Sequence, residues 1–358
     1  MRIEAKHLNK QFKTPVVREG RFAGLRTLFA RDYRVKEAVR DISFEVESGE
    51  FVGYIGPNGA GKSTTIKMLT GILHPTGGEV LLGGINPHRE RRRAVKRLGV
   101  VFGQRSQLWW DLPVKDSFDI LARMYRVEES VKRKRLDQFA ELLNLQEFWQ
   151  TPVRKLSLGQ RMRADLAAAM LHDPDLLFLD EPTIGLDVNA KRGIRGFLKL
   201  LNEEFGKTIL LTTHDMDDIE QLCRRVMVIG DGELSYDGTP QSLRDAIGLP
   251  TRFHVTYRGN CNIPDGTMYR SCSGSIAEGE AGNAGIKGNT TVTGTRSAVA
   301  PVAAPLVVTS RQGNMITVEA NRQEMKTMDV LRMLAEWGEI EDVDMEEPDF
   351  EEVIHRVY

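Results

Sequence analysis

Between residues 98 and 230 the chain repeats one pattern. A short unbroken apolar run gives way to a longer stretch whose apolar residues recur three or four apart. "LGVVFGQ", "DLLFLDEPT", "KTILLTTHD" and "RVMVIGDGEL" are the apolar runs. Runs of that length, bounded by turn residues, read as strands buried on both faces. Each of the last three follows a helical segment, and this alternation predicts a parallel sheet covered by helices. Upstream, residues 1–12 ("RIEAKHL") and 38–55 ("VRDISFEVESGEFVGYI") alternate apolar and polar positions and read as further strands. The segment between them, residues 13–35, reads as a basic, irregular insertion. "EVLLGGINP" reads as one more hairpin strand and "RERRRAVKR" as a solvated helix. Across residues 115–150 the period is helical, with Phe118, Leu121, Met124 and Tyr125 in one segment and Leu136, Phe139, Leu142 and Leu143 in another.

The pattern changes after residue 250. Residues 271–305, "SCSGSIAEGEAGNAGIKGNTTVTGTRSAVAPVAAP", are rich in Gly, Ser, Thr and Ala and read as a long loop or linker. Beyond it, "LVVTSRQGNMITVEA" predicts a hairpin, "EMKTMDVLRMLAEWG" an amphipathic helix, "IEDVDMEE" a strand and "PDFEEVIHRVY" a final helix. The expected organisation is a domain over 1–245, with a helical subdomain at about 105–170, and a small α+β appendage over 246–358.

Charge and composition narrow the function classes. The 358 residues carry 49 basic and 50 acidic side chains, a net charge of −1, so no global field draws the chain to nucleic acid. Three cysteines without metal-type spacing predict a reducing compartment. No apolar run approaches the ~20 residues of a membrane span, and the N-terminus has no signal-type core. The expectation is a cytosolic chain that reaches a membrane only through a partner.

The chemistry begins at "GPNGAGKST", residues 56–64, between a strand and a helix. Gly56, Pro57, Asn58, Gly59, Ala60 and Gly61 form a loop whose backbone N–H groups turn inward at phosphate oxygens. Lys62 is expected to reach the β- and γ-phosphates, Ser63 to place its hydroxyl on Mg²⁺, and Thr64 to continue the cradle. "LLFLDEP" then puts Asp180 at the end of a buried strand, where it can hold the Mg²⁺ shell, and Glu181 where a carboxylate polarises water. In a parallel sheet ligands gather at the C-terminal strand ends. His214, ending "LLTTH", and Gln104, ending "LGVVFGQ", share that edge. Gln104 is expected to contact the metal or the water.

Together these parts resemble the nucleotide-binding domain of ABC transporters over roughly residues 2–240. The resemblance implies a P-loop NTPase fold of ABC type: a mixed core sheet, an antiparallel β subdomain and a helical subdomain. It implies ATP and Mg²⁺ as ligands and ATP hydrolysis as the activity. "LSLGQ" stands where the family has its signature. Ser157, Gly159 and Gln160 are therefore expected to close over the ATP of a second copy, although Leu158 replaces the usual first glycine. Asp187 in "IGLD" resembles the loop that couples the two sites. For the aromatic platform under adenine, the family spacing selects Tyr33, five residues before Ala38, with Phe12 as competitor.

"VFGQRSQLWWDLPVKDSF", "LSLGQRMRADLAAAMLHDP" and "DEPTIGLDV" resemble the sodium- and drug-efflux branch of type-2 ABC exporters. That resemblance implies a homodimer at the cytoplasmic face of the membrane, driving a separately encoded permease, with no nucleic-acid partner. Trp109 and Trp110 read either as an anchor for the permease or as core between the lobes. The alternative function is a soluble ABC-type ATPase acting on ribosomes or nucleic acid.

Overall fold

The computed structural model describes residues 1–15, 33–103, 105–247, 250–259, 261–264, 268–270, 276–278, 306–321 and 325–346. The chain divides into two compact units, Met1–Pro240 and Gln241–Arg356. In the first, β1 (Ile3–Pro15) and β2 (Tyr33–Val46) precede β3 (Phe51–Ile55), the helix Lys62–Leu69, β4 (Gly77–Leu82), the short helix Arg91–Val95 and β5 (Leu98–Phe102). The helices Val114–Tyr125, Glu129–Leu142 and Leu158–Met170 follow, and then β6 (Leu176–Asp180). The helix Val188–Glu203, β7 (Thr208–Thr212), the helix Met216–Leu222, β8 (Arg225–Gly230) and β9 (Glu233–Gly238) complete the unit.

Among the described residues the core sheet runs β5-β6-β7-β3-β8-β9, parallel except for β9. Every residue of β3 and β7 is buried, as continuous apolar runs between two helical layers require. The register sets Phe102, Asp180 and Thr212 side by side at one sheet edge. On the helix Lys62–Leu69, Ile66 and Leu69 are fully buried against this sheet. Each contributes about 1.5–3 kcal/mol to seating the helix. A second sheet, β2-β1-β4, is antiparallel and packs Ile3, Ala5 and Leu8 into the same core.

Strands β1 and β2 run further than the apolar pattern predicts. Their ladder continues through Lys13↔Val35, Thr14↔Arg34 and Pro15↔Tyr33, and Lys13, Thr14, Arg34 and Val35 are exposed, so hydrogen bonding and not burial holds those pairs. The rest of the expected insertion, residues 16–32, lies outside the described residues. The helical stretch breaks at Arg126, which is left-handed, and restarts where the Glu128 carboxylate accepts from the N–H groups of Ser130 and Val131. In the helix Arg91–Val95 only Ala94 is buried, as a solvated face demands. Among the described residues no helix is long and apolar enough to cross a membrane.

The second unit holds the helix Pro240–Ile247 at its start, then β10 (Thr251–Tyr257), β11 (Met268–Arg270), β12 (Ile276–Glu278), β13 (Leu306–Gln312), β14 (Met315–Ala320), the helix Thr327–Glu336 and β15 (Ile340–Glu346). Its sheet runs β12-β11-β13-β14-β10-β15. The expected hairpin is β13–β14, turning at Gly313 with φ +63°. Phe253, Val255 and Tyr257 of β10 pack with Val330, Leu334 and Trp337. The Tyr257 hydroxyl donates to the Leu334 carbonyl at 2.9 Å. One expectation needs correcting: Ile276–Glu278, inside the presumed linker, pair with β11 as a strand. The remainder of 271–305 and the expected final helix at 347–358 lie outside the described residues.

Candidate functional site

The loop between β3 and the helix Lys62–Leu69 is shaped by its glycines. Gly61 has φ +112°, and a Cβ there would stand 2.5 Å from the Ala38 carbonyl oxygen. A Cβ on Gly56 would stand 2.3 Å from the Ile229 carbonyl oxygen. Both contacts are with backbone that cannot swing aside, so no other residue fits. The helix that follows has no side-chain cap and no carboxylate in its first turn, which leaves its N-terminal N–H groups to an external anion. Lys62 is only 6% exposed, and its ammonium donates to the carbonyls of Gly56 and Pro57. Burial lowers its pKa below the ordinary lysine value, against the opposing pull of Glu181 and Asp180. A buried cation resting on neutral carbonyls beside a cavity of about 240 Å³ suits a polyanion. Pro57, Asn58, Gly59, Ser63 and Thr64 line that cavity, while Ala60 is buried behind it.

The acidic edge faces this loop. Asp180 Oδ1 accepts from the Ser63 hydroxyl at 3.2 Å and from the Thr212 hydroxyl at 2.7 Å. A carboxylate and a hydroxyl in contact, both hard oxygen donors, fit Mg²⁺. Glu181 also lines the cavity and has a left-handed backbone, φ +55°. That conformation is unusual for a residue with a Cβ. Its N–H is held by both the carbonyl and the hydroxyl of Thr212, at 2.9 and 3.1 Å. Glu181 Oε1 lies 2.6 Å from His214 Nε2. The end of β5 passes over the same edge, with the Gly103 N–H donating to the Asp180 carbonyl at 2.7 Å. Gln104, the next residue, lies outside the described residues.

Other expected residues stand apart from this cavity. Ser157 caps the helix Leu158–Met170, its hydroxyl accepting from the Gln160 N–H while the Gln160 amide oxygen accepts from the Ser157 N–H. Gly159 follows in that first turn, where a Cβ would stand 3.2 Å from the Ala190 Cβ. Asp187 caps the helix Val188–Glu203, accepting from the Ala190 N–H at 2.9 Å. None of the four lines the phosphate cavity of its own chain.

The aromatic residue at the cavity is Phe12, which lies beside Lys36, its partner in the ladder. Tyr33 pairs with Pro15 three positions further out, and its side chain lies outside the described residues. Of the two candidates for the adenine platform, Phe12 is the one that the described residues bring to the cavity. Trp109 and Trp110 are 37% and 53% exposed, which favours the surface reading over the core one. Thr212 was not singled out from the sequence; a threonine closing an apolar strand carries no signal until Asp180 and Glu181 are seen leaning on it.

The ABC transporter family model matches residues 39–184. The ABC transporter ATP-binding protein NatA of Bacillus subtilis is 33% identical over 213 residues, 60% of this chain and 86% of that protein. The linearmycin resistance ATP-binding protein LnrL of the same organism is 34% identical, over 63% of this chain and 72% of that protein. The Nod factor export ATP-binding protein I of Burkholderia pseudomallei is 41% identical, over 60% and 70% respectively. Among solved structures, the dimeric post-hydrolysis state of the ATP-binding cassette MJ0796 with ADP and Pi aligns with a TM-score of 0.56 at 27% identity, covering 66% of this chain and 98% of that one. The chain belongs to the ABC transporter ATP-binding family, in its exporter-like branch, and is an ATPase that takes ATP with Mg²⁺.

Proposed function

We propose that this chain is the ATP-hydrolysing subunit of an exporter, that two copies close around two ATP molecules, and that the closure drives a separately encoded integral-membrane permease. One observation carries the reading: Lys62, Ser63, Asp180, Glu181 and His214 converge at the C-terminal ends of β3, β6 and β7. Lys62 and the N–H groups of the loop 56–64 bind the phosphates. Ser63 and Asp180 would hold Mg²⁺, which would supply charge neutralisation at the phosphates. Glu181 accepts the proton of the attacking water, and His214, 2.6 Å away, orients its carboxylate and faces the γ-phosphate. Gln104, carried over from the family, completes the metal and water contacts. Phe12 stacks on adenine.

The dimer rests on two observations. Ser157, Gly159, Gln160 and Asp187 do not line the cavity of their own chain, and the similar cassette MJ0796 is dimeric. In the dimer the first three close over the partner's ATP and Asp187 couples the sites. Residues 1–245 act as the ATPase domain, with the helical subdomain at about 105–170, and 246–358 as an accessory domain. Trp109 and Trp110 dock the permease, which holds the chain at the cytoplasmic face of the membrane. The alternative of a soluble ATPase on ribosomes or nucleic acid finds no support in the three relatives above, whose names are those of transport, export and resistance proteins.

The test is Glu181→Gln. ATP binding is retained, turnover falls about a hundredfold or more because only the base is lost, and Mg·ATP traps a dimer visible by light scattering after size exclusion. Near-normal turnover in this variant would remove Glu181 from the role.

A further inference from the structure

Behind the hydrolytic edge lies a charged side chain with no role in the reading above. Asp218, on the helix Met216–Leu222, is 0% exposed. A carboxylate in that position is costly unless both oxygens are satisfied, and both are. Its Oδ2 accepts from the hydroxyls of Thr183 and Thr213, the latter at 2.9 Å. Its Oδ1 accepts from Nε of Arg195, on the helix Val188–Glu203. Both threonines are themselves buried, at 2% exposure.

The placement of the two threonines matters. Thr183 follows Glu181 by two residues, and Thr213 immediately precedes His214. The Glu181–His214 contact therefore joins two turns that are 33 positions apart in the chain and need a fixed spacing. On one side Thr212 supplies it, by holding the Glu181 N–H. On the other side Asp218 does, by holding both turns on one oxygen. The Thr213 oxygen already accepts from the Asp215 N–H at 2.9 Å, so its proton is directed at Asp218. Arg195 fixes the other end and also reaches Asp215 Oδ1 at 3.0 Å, and Lys191 pairs with the same Asp215. An amide cannot replace this carboxylate. With its oxygen toward the threonines, its NH₂ opposes the Arg195 N–H; turned over, it offers donors to hydroxyls that are themselves donating.

We infer that Asp218 is a positioning residue for hydrolysis, clamping the turns after β6 and β7 so that Glu181 and His214 stay in register. The inference rests on the roles proposed above for those two residues. The experiment uses the full chain, with Glu181→Gln and His214→Ala as controls beside Asp218→Asn, Asp218→Glu, Thr183→Val and Thr213→Val. Asp218→Asn is expected to lower kcat about 10- to 100-fold through a sub-ångström misplacement. The Kd for ATP should stay within about threefold, because the phosphate loop is untouched. Asp218→Glu, which keeps the carboxylate, recovers most of the rate. In a His214→Ala background, Asp218→Asn costs less than it does in the wild type, since the Glu181–His214 contact that the clamp keeps in register is already gone.

Thr213→Val removes only a hydroxyl from an isosteric side chain, and it decides the matter if Asp218→Asn does not fold. The clamp is overturned if kcat in these variants stays within twofold of wild type. It is also overturned if ATP affinity and thermal stability fall in step with kcat, or if the loss multiplies in full on His214→Ala. If Glu181→Gln and His214→Ala themselves turn over normally, the hydrolytic reading fails, whatever Asp218→Asn does.

Discussion

Phe12→Ala removes the one aromatic ring among the described residues that line the phosphate cavity. The ring is 39% exposed, and Lys10 Nζ lies 5.3 Å from its centroid. A base that stacks here gains one ring face, since the Lys10 ammonium already attends a face of the ring. Base–aromatic stacking is worth about 1–3 kcal/mol by alanine substitution. A half-covered ring belongs at the lower end, about 1–1.5 kcal/mol, or roughly a five- to fifteenfold weaker Kd for ATP. Titration calorimetry with Mg·ATP measures this in a Glu181→Gln background, where the ligand is not consumed. In the active chain KM rises by a similar factor while kcat at saturation holds, because the lost contact is equal in ground and transition states. GTP should weaken alongside ATP, since every base has a π-face, and Phe12→Trp should tighten both. Two results refute the reasoning: a Phe12→Ala chain with Kd within twofold of wild type, or a Tyr33→Ala chain that loses the affinity instead.

Two further predictions follow from burial. Asp165 is 4% exposed, and burial pushes its pKa up to about 6, against hydrogen bonds from the Gln107 N–H and the Ser106 hydroxyl. An acid whose folded pKa exceeds its unfolded one contributes stability below pH ~4 that is lost as pH rises through ~6, about 3 kcal/mol in all. Asp165→Asn should therefore raise Tm at pH 7.5, with the gain fading toward pH 4.5; a gain that grows on acidification contradicts the sign. Trp109→Ala with Trp110→Ala should weaken binding to the detergent-solubilised permease about tenfold or more. The double variant should move Tm by only a few degrees, since exposed substitutions cost about 0.5 kcal/mol and the Arg161 guanidinium over Trp110 adds about 0.5–1 kcal/mol. A large fall in Tm would mean that the pair is structural.

What could be read from the sequence, and what could not, divides along physical lines. The strands of the core sheet were visible because burial on both faces demands unbroken apolar runs, and "LLFLD" and "TILLT" supply them. The glycines of the phosphate loop and the carboxylates at the end of β6 were visible because phosphate and metal chemistry restricts residue type and spacing together. Phe12 could not be ranked against Tyr33 by pattern because from Gln11 to Thr14 the strand is exposed on both faces, so no alternation marks its register. Hydrogen bonds alone carry the ladder there, and they leave no trace in composition. Thr212, Asp218 and Arg195 escaped for a different reason. A buried polar residue looks like any surface residue until its partners are known, although the density of Thr and Asp in "TTHDMDD" after an apolar strand was a signal available to use. β10 was equally available: "TRFHVTY" alternates strictly, and its burial does too.

Ser157 shows why a local reading and a functional one need not compete. As a cap, its oxygen accepts a hydrogen bond from the Gln160 N–H at 3.2 Å. That bond uses a lone pair and leaves the hydroxyl proton free to be donated. The capping box also holds the first turn of the helix Leu158–Met170 in place, with its N-terminal N–H groups and their partial positive charge facing outward. In the proposed dimer that turn would meet the partner's γ-phosphate with the hydroxyl already oriented. A residue that only capped would serve as well if it were aspartate, which is equally good at ending a helix. An aspartate, however, would bring a negative charge to a phosphate and have no proton to give. Capping accepts either residue; of the two, only the serine hydroxyl can both cap the helix and donate to an anion.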